Sequence, residues 1–442
     1  MHTLIIQTWK KKYGPVFTAW LPNPTVVLCT NQTIQEALVT QGEAFAGRPQ
    51  NYEEQRRFAL HSLRDLGFRS EGLQDTVNTL AVEMVERMKE VEGEEVEIRP
   101  FLMFGVANVI WQLTFGRMLK FGDPLLNTVL THLDEYMSLL VHPTALLIEI
   151  HPSLSLLDPL FGGSLKRLVT VNDKILELMN KEIVEVEISV ELDSPARCYV
   201  EAFMQEMKTN EKEGENPGNF TRHQMLAAAS DILSAGFETT VSTLRYAIFH
   251  LMSHPEAQKK MQEEIDREIG SRAIRMDDQK VLPYCCSVIQ EVQRVAALGS
   301  PSRCTVAEAT VGGESFEGQE RHEPWRYIGF NIPVGTEILP ATNLVHLDEE
   351  EYERPKYFCP ERHLNDKDQF VKDSRVMPFS VGKRACLGES LARMEIFMFL
   401  ITLIQKFTFK FPGLIPPELK ERESFIKAPE PFKVIFTQRK QI

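Results

Sequence analysis

Cys386 stands in the run Phe379-Ser380-Val381-Gly382-Lys383-Arg384-Ala385-Cys386-Leu387-Gly388, just ahead of the largely apolar stretch Leu391 to Phe399. Its neighbours are those that a metal-holding thiolate needs. A sharply turning backbone presents the sulfur, and Gly382 and Gly388 permit such a turn. Positive charge and amide dipoles keep a thiol ionised, and Lys383, Arg384 and the N-terminus of a following helix are placed to supply them. The plain alternative is a buried structural cysteine. Against it, five fixed residue types in this spacing arise by chance on the order of once in ten thousand such chains.

A second group capable of chemistry is Ala235-Gly236-Phe237-Glu238-Thr239-Thr240. An acid and two hydroxyls in the middle of an apolar helix destabilise it unless they are bonded. A hydroxyl bonded to the backbone one turn earlier is the bland reading of the threonine pair. The small residues beside it suggest close approach of a flat ligand, and Glu238 with Thr239 offers a route for protons. Ala235, Phe237, Ala297 and Leu298 are candidates to line an apolar cavity, and a plain core role fits each of them equally well. A third group is Glu291-Val292-Gln293-Arg294. Alone it reads as an exposed ion pair worth tenths of a kcal/mol. Lying ahead of Arg362 and the cysteine loop, it reads instead as a structural lock. Arg56, Arg303 and Arg384, taken singly, read as surface cations.

These residues need elements to hold them. Thr221-Arg222-His223-Gln224 has the capping-box pattern and Pro255 follows His254, so a helix is expected between them, apolar nearly all round. Asp231, Glu238 and Arg245 make it a poor membrane span. Met1 to Lys10 reads as an amphipathic helix, and Val26 to Cys29 after Tyr13 to Phe17 reads as strand pairing ahead of a helix from Thr33. Residues 60–179 carry a helical period broken at Gly122-Asp123-Pro124 and Leu157-Asp158-Pro159. Residues 210–219 read as a solvated loop, and 407–442 as short strands. The expected class is mainly α with small β-sheets.

At 442 residues the length alone suggests two or more domains, and 43% apolar residues can enclose a large core. The net charge of -13 and the pI near 5.5 argue against nucleic acid as a partner. Seven scattered cysteines suit reduced thiols in a cytosol-facing protein. No window reaches the roughly 20 apolar residues of a membrane span, and the start is too short and polar for a signal peptide. The chain is read as beginning inside a domain.

The pattern F-x-x-G-x-R-x-C-x-G resembles the haem-ligand signature of the cytochrome P-450 family, in which a cysteine thiolate is the proximal iron ligand. Ala235 to Thr240 resembles the family's oxygen-binding helix motif, Glu291 to Arg294 its E-x-x-R motif, and Arg362 the arginine completing that network. Tyr13 to Thr18, Phe45 to Pro49, Arg57 to Leu60 and Met377 to Phe399 are similar to animal microsomal members of the family-2 type. The resemblance covers nearly the whole chain and implies a single P-450 domain over 1–442, with haem buried between the long central helix and the cysteine loop. It implies Cys386 as axial ligand, Glu238 and Thr239 as the proton-delivering pair, and Arg56, Arg303 and Arg384, with Ala235, against the haem. The implied reaction is a monooxygenation: one atom of O2 enters a small lipophilic substrate (xenobiotic, fatty acid or steroid) and the other leaves as water. Electrons would come from an NADPH-cytochrome reductase, with cytochrome b5 a further partner and Lys383 a docking candidate. The implied location is the cytosolic face of the endoplasmic reticulum membrane, with peripheral contact through the loop Leu154 to Phe161.

The chain departs from the family pattern in four places. The N-terminal anchor helix is missing, and only seven residues separate Arg48 from Arg56, with Tyr52 in place of a tryptophan that bonds a propionate. The stretch from Arg294 to Pro301 is short, and 313–326 reads as an insertion. Two other readings stay open: a haem-thiolate isomerase or dehydratase acting on peroxides, against which Glu238-Thr239 argues, and a catalytically impaired haem-binding variant, favoured by the short 48–56 connection.

Overall fold

The structure, a computed structural model, describes residues 2–20, 23–47, 52–67, 71–150, 152–191, 194–212, 220–299, 303–311, 329–413, 415–422 and 426–440. The expected insertion at 313–326 lies outside these residues, as do 48–51 of the shortened connection and Pro301. From Tyr52 the chain is helical to Asp65.

The central helix runs from Arg222 to Ser253. Thr221 caps it, its hydroxyl accepting the Gln224 N–H at 3.3 Å, which satisfies one of the amides orphaned at a helix start. At the other end Pro255 opens the next helix, Pro255–Glu268, with His254 between the two. Burial on all sides holds only from Thr240 to Phe249; the half before it keeps an open stripe at Asp231, Ala235 and Thr239. Gly236 serves packing. A Cβ there would lie 2.8 Å from Ile110 Cδ1, so the glycine admits the helix Arg99–Phe115, not the flat ligand expected beside it.

The contacts of the chain sort into two compact units. The first is Met1–Tyr52, Gln293–Phe358 and Lys372–Glu389. It holds the helix His2–Tyr13 and a four-stranded sheet in the order Val16–Trp20, Pro24–Leu28, Glu337–Pro340, Arg303–Cys304. The first pair is antiparallel, with Val16 opposite Leu28, the second parallel and the third antiparallel. The strand pairing read near Val26 is this first pair. The helix expected from Thr33 begins at Asn31, because Thr30 caps it. One face of the sheet buries Val16, Leu28, Ile338 and Phe45 in a common cluster.

The second unit is Glu53–Val292, Cys359–Val371 and Ser390–Ile442, and it contains most of the helices. Both breaks read in 60–179 are present, and an aspartate caps the chain after each. Asp123 accepts the Leu125 N–H at 2.8 Å ahead of the helix Pro124–Leu140. Asp158 accepts the Leu165 and Lys166 N–H groups at 3.0 Å at the start of Ser164–Ser189. The tail forms short strands as expected, Lys433–Gln438 lying between Val96–Glu97 and Phe407–Lys410. The chain is mainly α with small separate sheets.

Candidate functional site

In the first unit the cysteine loop is a tight 3-10 turn, Gly382–Arg384, ahead of the helix Glu389–Lys406. Gly382 has φ +76°, and a Cβ on it would fall 1.8 Å from the Leu38 carbonyl oxygen, so both the turn and the close approach demand glycine. Gly388 has no such requirement: its φ is not positive and open space surrounds it. Of the two glycines assigned to the turn, one serves it. The Cys386 N–H donates to Phe379 O at 2.9 Å, which closes the loop behind the sulfur.

Arg303, buried at 3% exposure, donates to Ser380 Oγ at 2.6 Å and to Val381 O at 3.3 Å. Arg384 donates through Nε to Ala46 O at 2.7 Å. Both guanidinium groups therefore brace the loop. Lys383 is paired with Glu43. Among the seven cysteines Cys386 is the exposed one. Burial pushes the thiols of Cys29 and Cys286 up to about 12 and that of Cys198 up to about 11, which disqualifies them as thiolates near neutral pH. Ala297 is buried with φ +44°, a left-handed conformation that strains an alanine, and Leu298 is half-buried. Arg294 anchors this unit by donating to the carbonyls of His346 and Pro355 at 2.6 Å and of Tyr357 at 3.2 Å.

In the second unit the two members of the expected proton-delivering pair part company. Thr239 lies on the open stripe, its hydroxyl donating to Ala235 O at 2.9 Å, the local backbone bond weighed as the bland reading. Glu238 points into the unit at 2% exposure. Its Oε2 accepts from Arg99 at 3.0 Å, and its Oε1 accepts from Arg422 at 2.9 Å and from Ser242 at 3.3 Å. Asp134 shares both arginines, at 2.6 and 3.5 Å. Both carboxylate oxygens are thus engaged with guanidinium groups in charge-assisted bonds. Arg245, buried beside this cluster, is pushed down to about 10 by burial and by Arg99. Phe237 is buried at 1% exposure and takes the core role. Arg56 is half-buried on the helix Tyr52–Asp65.

The lock is present around Glu291. Its carboxylate, at 0% exposure, accepts from the Arg362 Nε at 3.0 Å and from the Cys359 N–H at 2.9 Å, and lies 2.9 Å from His363 Nε2. Sequence reading missed His363, although it stood next to Arg362 in the quoted run. It also missed Arg99 and Arg422, which carry no local signal. Asp231 is reachable by water yet enclosed, and that enclosure raises its carboxyl pKa. Glu395 is fully buried within the apolar run Leu391 to Phe399, where an acid was itself a readable anomaly. A cavity of about 780 Å3, lined by Val82, Glu86, Lys89, Thr402, Lys406 and Arg439 among others, has a charged wall and includes none of the expected substrate-lining residues.

Over residues 49–436 the chain matches the family described as Cytochrome P450, and it belongs to that family. It is 34% identical to "Probable cytochrome P450 CYP36A1" of Caenorhabditis elegans, over 99% of this chain and 90% of that one. It is 32% identical to "Cytochrome P450 2F2" of Mus musculus, over 92% and 83% of the two chains, and 32% identical to "Cytochrome P450 2C5" of Oryctolagus cuniculus, over 92% and 82%. These relatives place it close to family 2. The cofactor of the family is haem with thiolate ligation, and its general reaction is a monooxygenation. The residues present fit that group: an exposed sulfur on a loop whose glycine cannot be replaced, the other six cysteines being buried or half-buried.

Proposed function

We propose that the chain is an NADPH-reductase-dependent monooxygenase, inserting one oxygen atom of O2 into a small lipophilic substrate such as a xenobiotic, a fatty acid or a steroid. The observation that carries this reading is the cysteine loop. Cys386 is the exposed thiol, on a turn held by Gly382 against Leu38 and by Arg303 through Ser380. When bound, haem supplies the redox and oxygen-activating chemistry that side chains lack.

The chain's own residues do the rest. Cys386 would supply the sulfur that holds the haem. Thr239, on the open stripe of the central helix, holds a proton in a bond to the Ala235 carbonyl and can pass it on from that position. Thr243 donates to the Thr239 carbonyl at 2.9 Å and steadies the same turn. Glu238 acts as an ion-paired post, so proton delivery rests on Thr239 and water. Arg303 and Arg384 hold the loop and, with Arg56 as the third cation, would meet the propionates. Ala235 would help to hold the haem, and Ala297 and Leu298 would receive substrate. Glu291, Arg294 and Arg362 are scaffold.

The reductase, and cytochrome b5 where it serves as second donor, would dock on the cysteine side, where Lys383 is the exposed cation. Leu156 and Leu160, 86% and 80% exposed, support peripheral contact with the cytosolic face of the endoplasmic reticulum membrane. Among the described residues no helix is long and apolar enough to cross a membrane. The single P-450 domain over 1–442 belongs to this same reading. The experiment is the reduced, carbon-monoxide-bound absorption spectrum with haem stoichiometry. Cys386→Ala is expected to abolish the thiolate-type band, while Cys304→Ala and Cys359→Ala keep it. A band that survives in Cys386→Ala refutes the proposal.

A further inference from the structure

Glu395 is 1% exposed, and Thr240, its one hydrogen-bonding partner among the described residues, is also 1% exposed. Thr240 Oγ1 lies 3.5 Å from Glu395 Oε2, while Oε1 has no partner. The surrounding residues of its own helix, Leu391, Met394, Met398 and Phe399, are apolar and buried, and no cation pairs with it. An ionised carboxylate with one bond at the outer edge of hydrogen-bonding distance would be left almost wholly desolvated. The neutral acid resolves this, because its own O–H becomes the donor. Burial accordingly raises the carboxyl pKa well above the ordinary range.

Thr240 is the residue after Thr239. The hydroxyls of Thr239 and Thr243 bond within the central helix, to the carbonyls of Ala235 and Thr239. Neither bond fixes how that turn is rotated about the helix axis. Bonds to other elements do: Glu238 is held by Arg99 and Arg422, and the Thr240–Glu395 pair ties the turn to the helix Glu389–Lys406.

We propose that Glu395 is a positioning residue: a buried acid whose O–H bonds Thr240 and helps to set the rotation of the helical turn that carries Thr239. This inference rests on the role given to Thr239 above. Without the tie the turn relaxes, the Thr239 hydroxyl misses its alignment, and reducing equivalents leave as peroxide in place of product.

The test uses the holoprotein with four variants: Glu395→Gln, Glu395→Leu, Thr240→Val and Thr239→Ala. Infrared difference spectra of wild type against Glu395→Gln should show a protonated-carboxyl carbonyl stretch at neutral pH, shifted in Thr240→Val. Haem content and the carbon-monoxide spectrum should be unchanged in all four. Glu395→Gln keeps a donor for Thr240 and should retain coupling of NADPH to product. Glu395→Leu and Thr240→Val should raise the peroxide-to-product ratio about fivefold, the population change produced by losing one hydrogen bond of ordinary strength. An ionised-carboxylate band overturns the proposal. Uncoupling by Glu395→Gln as severe as by Glu395→Leu overturns it in favour of a proton relay, and normal coupling in Thr240→Val overturns it outright. Unchanged coupling in Thr239→Ala defeats the role of Thr239 instead, and the infrared shift in Thr240→Val then decides the Glu395–Thr240 bond by itself.

Discussion

Glu238→Gln separates structure from chemistry at the residue where the two readings collide. The substitution keeps the shape and one acceptor oxygen and removes one negative charge from a site at 2% exposure. Arg99 and Arg422, at 15% and 24% side-chain exposure, then share only Asp134. Breaking a buried ion pair by neutralising one partner costs about 3–5 kcal/mol, because the other charge stays desolvated. The remaining bonds to Asp134 and the partial exposure of Arg422 place the expected loss at the lower end, about 3 kcal/mol. Urea unfolding followed by far-ultraviolet circular dichroism measures it, with a double-mutant cycle against Arg99→Met to isolate the pair. The cycle should return a coupling of at least about 1 kcal/mol. Folded, haem-replete Glu238→Gln should consume NADPH with nearly unaltered coupling. A variant as stable as its parent, with proton-limited turnover and raised peroxide, would show that Glu238 is the acid after all and refute the ion-post argument.

Glu291→Gln strips the charge that meets Arg362 and faces His363, and should lower the yield of holoprotein and cost about 3 kcal/mol in chemical denaturation; a stable variant with only altered kinetics contradicts the scaffold role. Gly382→Ala must clear the Leu38 carbonyl and adopt a positive φ, so haem incorporation on expression should fall severalfold, measured as haem per chain. Glu395→Gln carries a pH signature. A carboxyl whose folded pKa is raised takes up its proton more tightly in the native state, so it weakens stability progressively as pH climbs above the ordinary value of 4.5. At pH 7 the amide should therefore be more stable than wild type, with that pH-dependent gain vanishing near pH 4.5; a pH-independent difference refutes a protonated Glu395. Microsome binding should be released by carbonate, since the exposed Leu156 and Leu160 form a surface contact, and carbonate-resistant retention of this chain counts against it.

What could be read beforehand was what the chain encodes locally. Thr221 and Gln224 announce a helix start because the cap closes over three residues, and Asp123 marks a break in the same local way, whereas Asp158 caps amides seven and eight residues on. The F-x-x-G-x-R-x-C-x-G frame and the motif Glu291 to Arg294 were legible as patterns of fixed spacing. The company that a side chain keeps across the fold was not. Glu238 and Thr239 are neighbours in sequence, yet successive helical residues diverge by about 100°, and the partners that pull Glu238 inward come from Arg99 and Arg422. Gly236 read as room for a ligand because Ile110 could not be placed against it. Arg303, taken singly, read as a surface cation because Ser380, which it braces, lies 77 residues away.

The contact between Gly382 and Leu38 has a consequence for biosynthesis. The ligand loop leaves the ribosome near the end of the chain, and the carbonyl against which its glycine must nest belongs to a segment made at the very beginning. Gly47 and Cys304, whose backbones exchange two hydrogen bonds, join the same unit across a similar span. The early segment therefore waits, unpartnered, while the long helical unit is synthesised and folds, and the loop that presents Cys386 takes its shape only when both ends are available. A nascent chain halted before Gly382 would have no thiolate to offer and would still lack Ser390–Ile442 of the helical unit. The timing of cofactor capture is thus written into which two stretches of backbone share that narrow gap, and the completed N-terminal sheet becomes a checkpoint that precedes metal ligation.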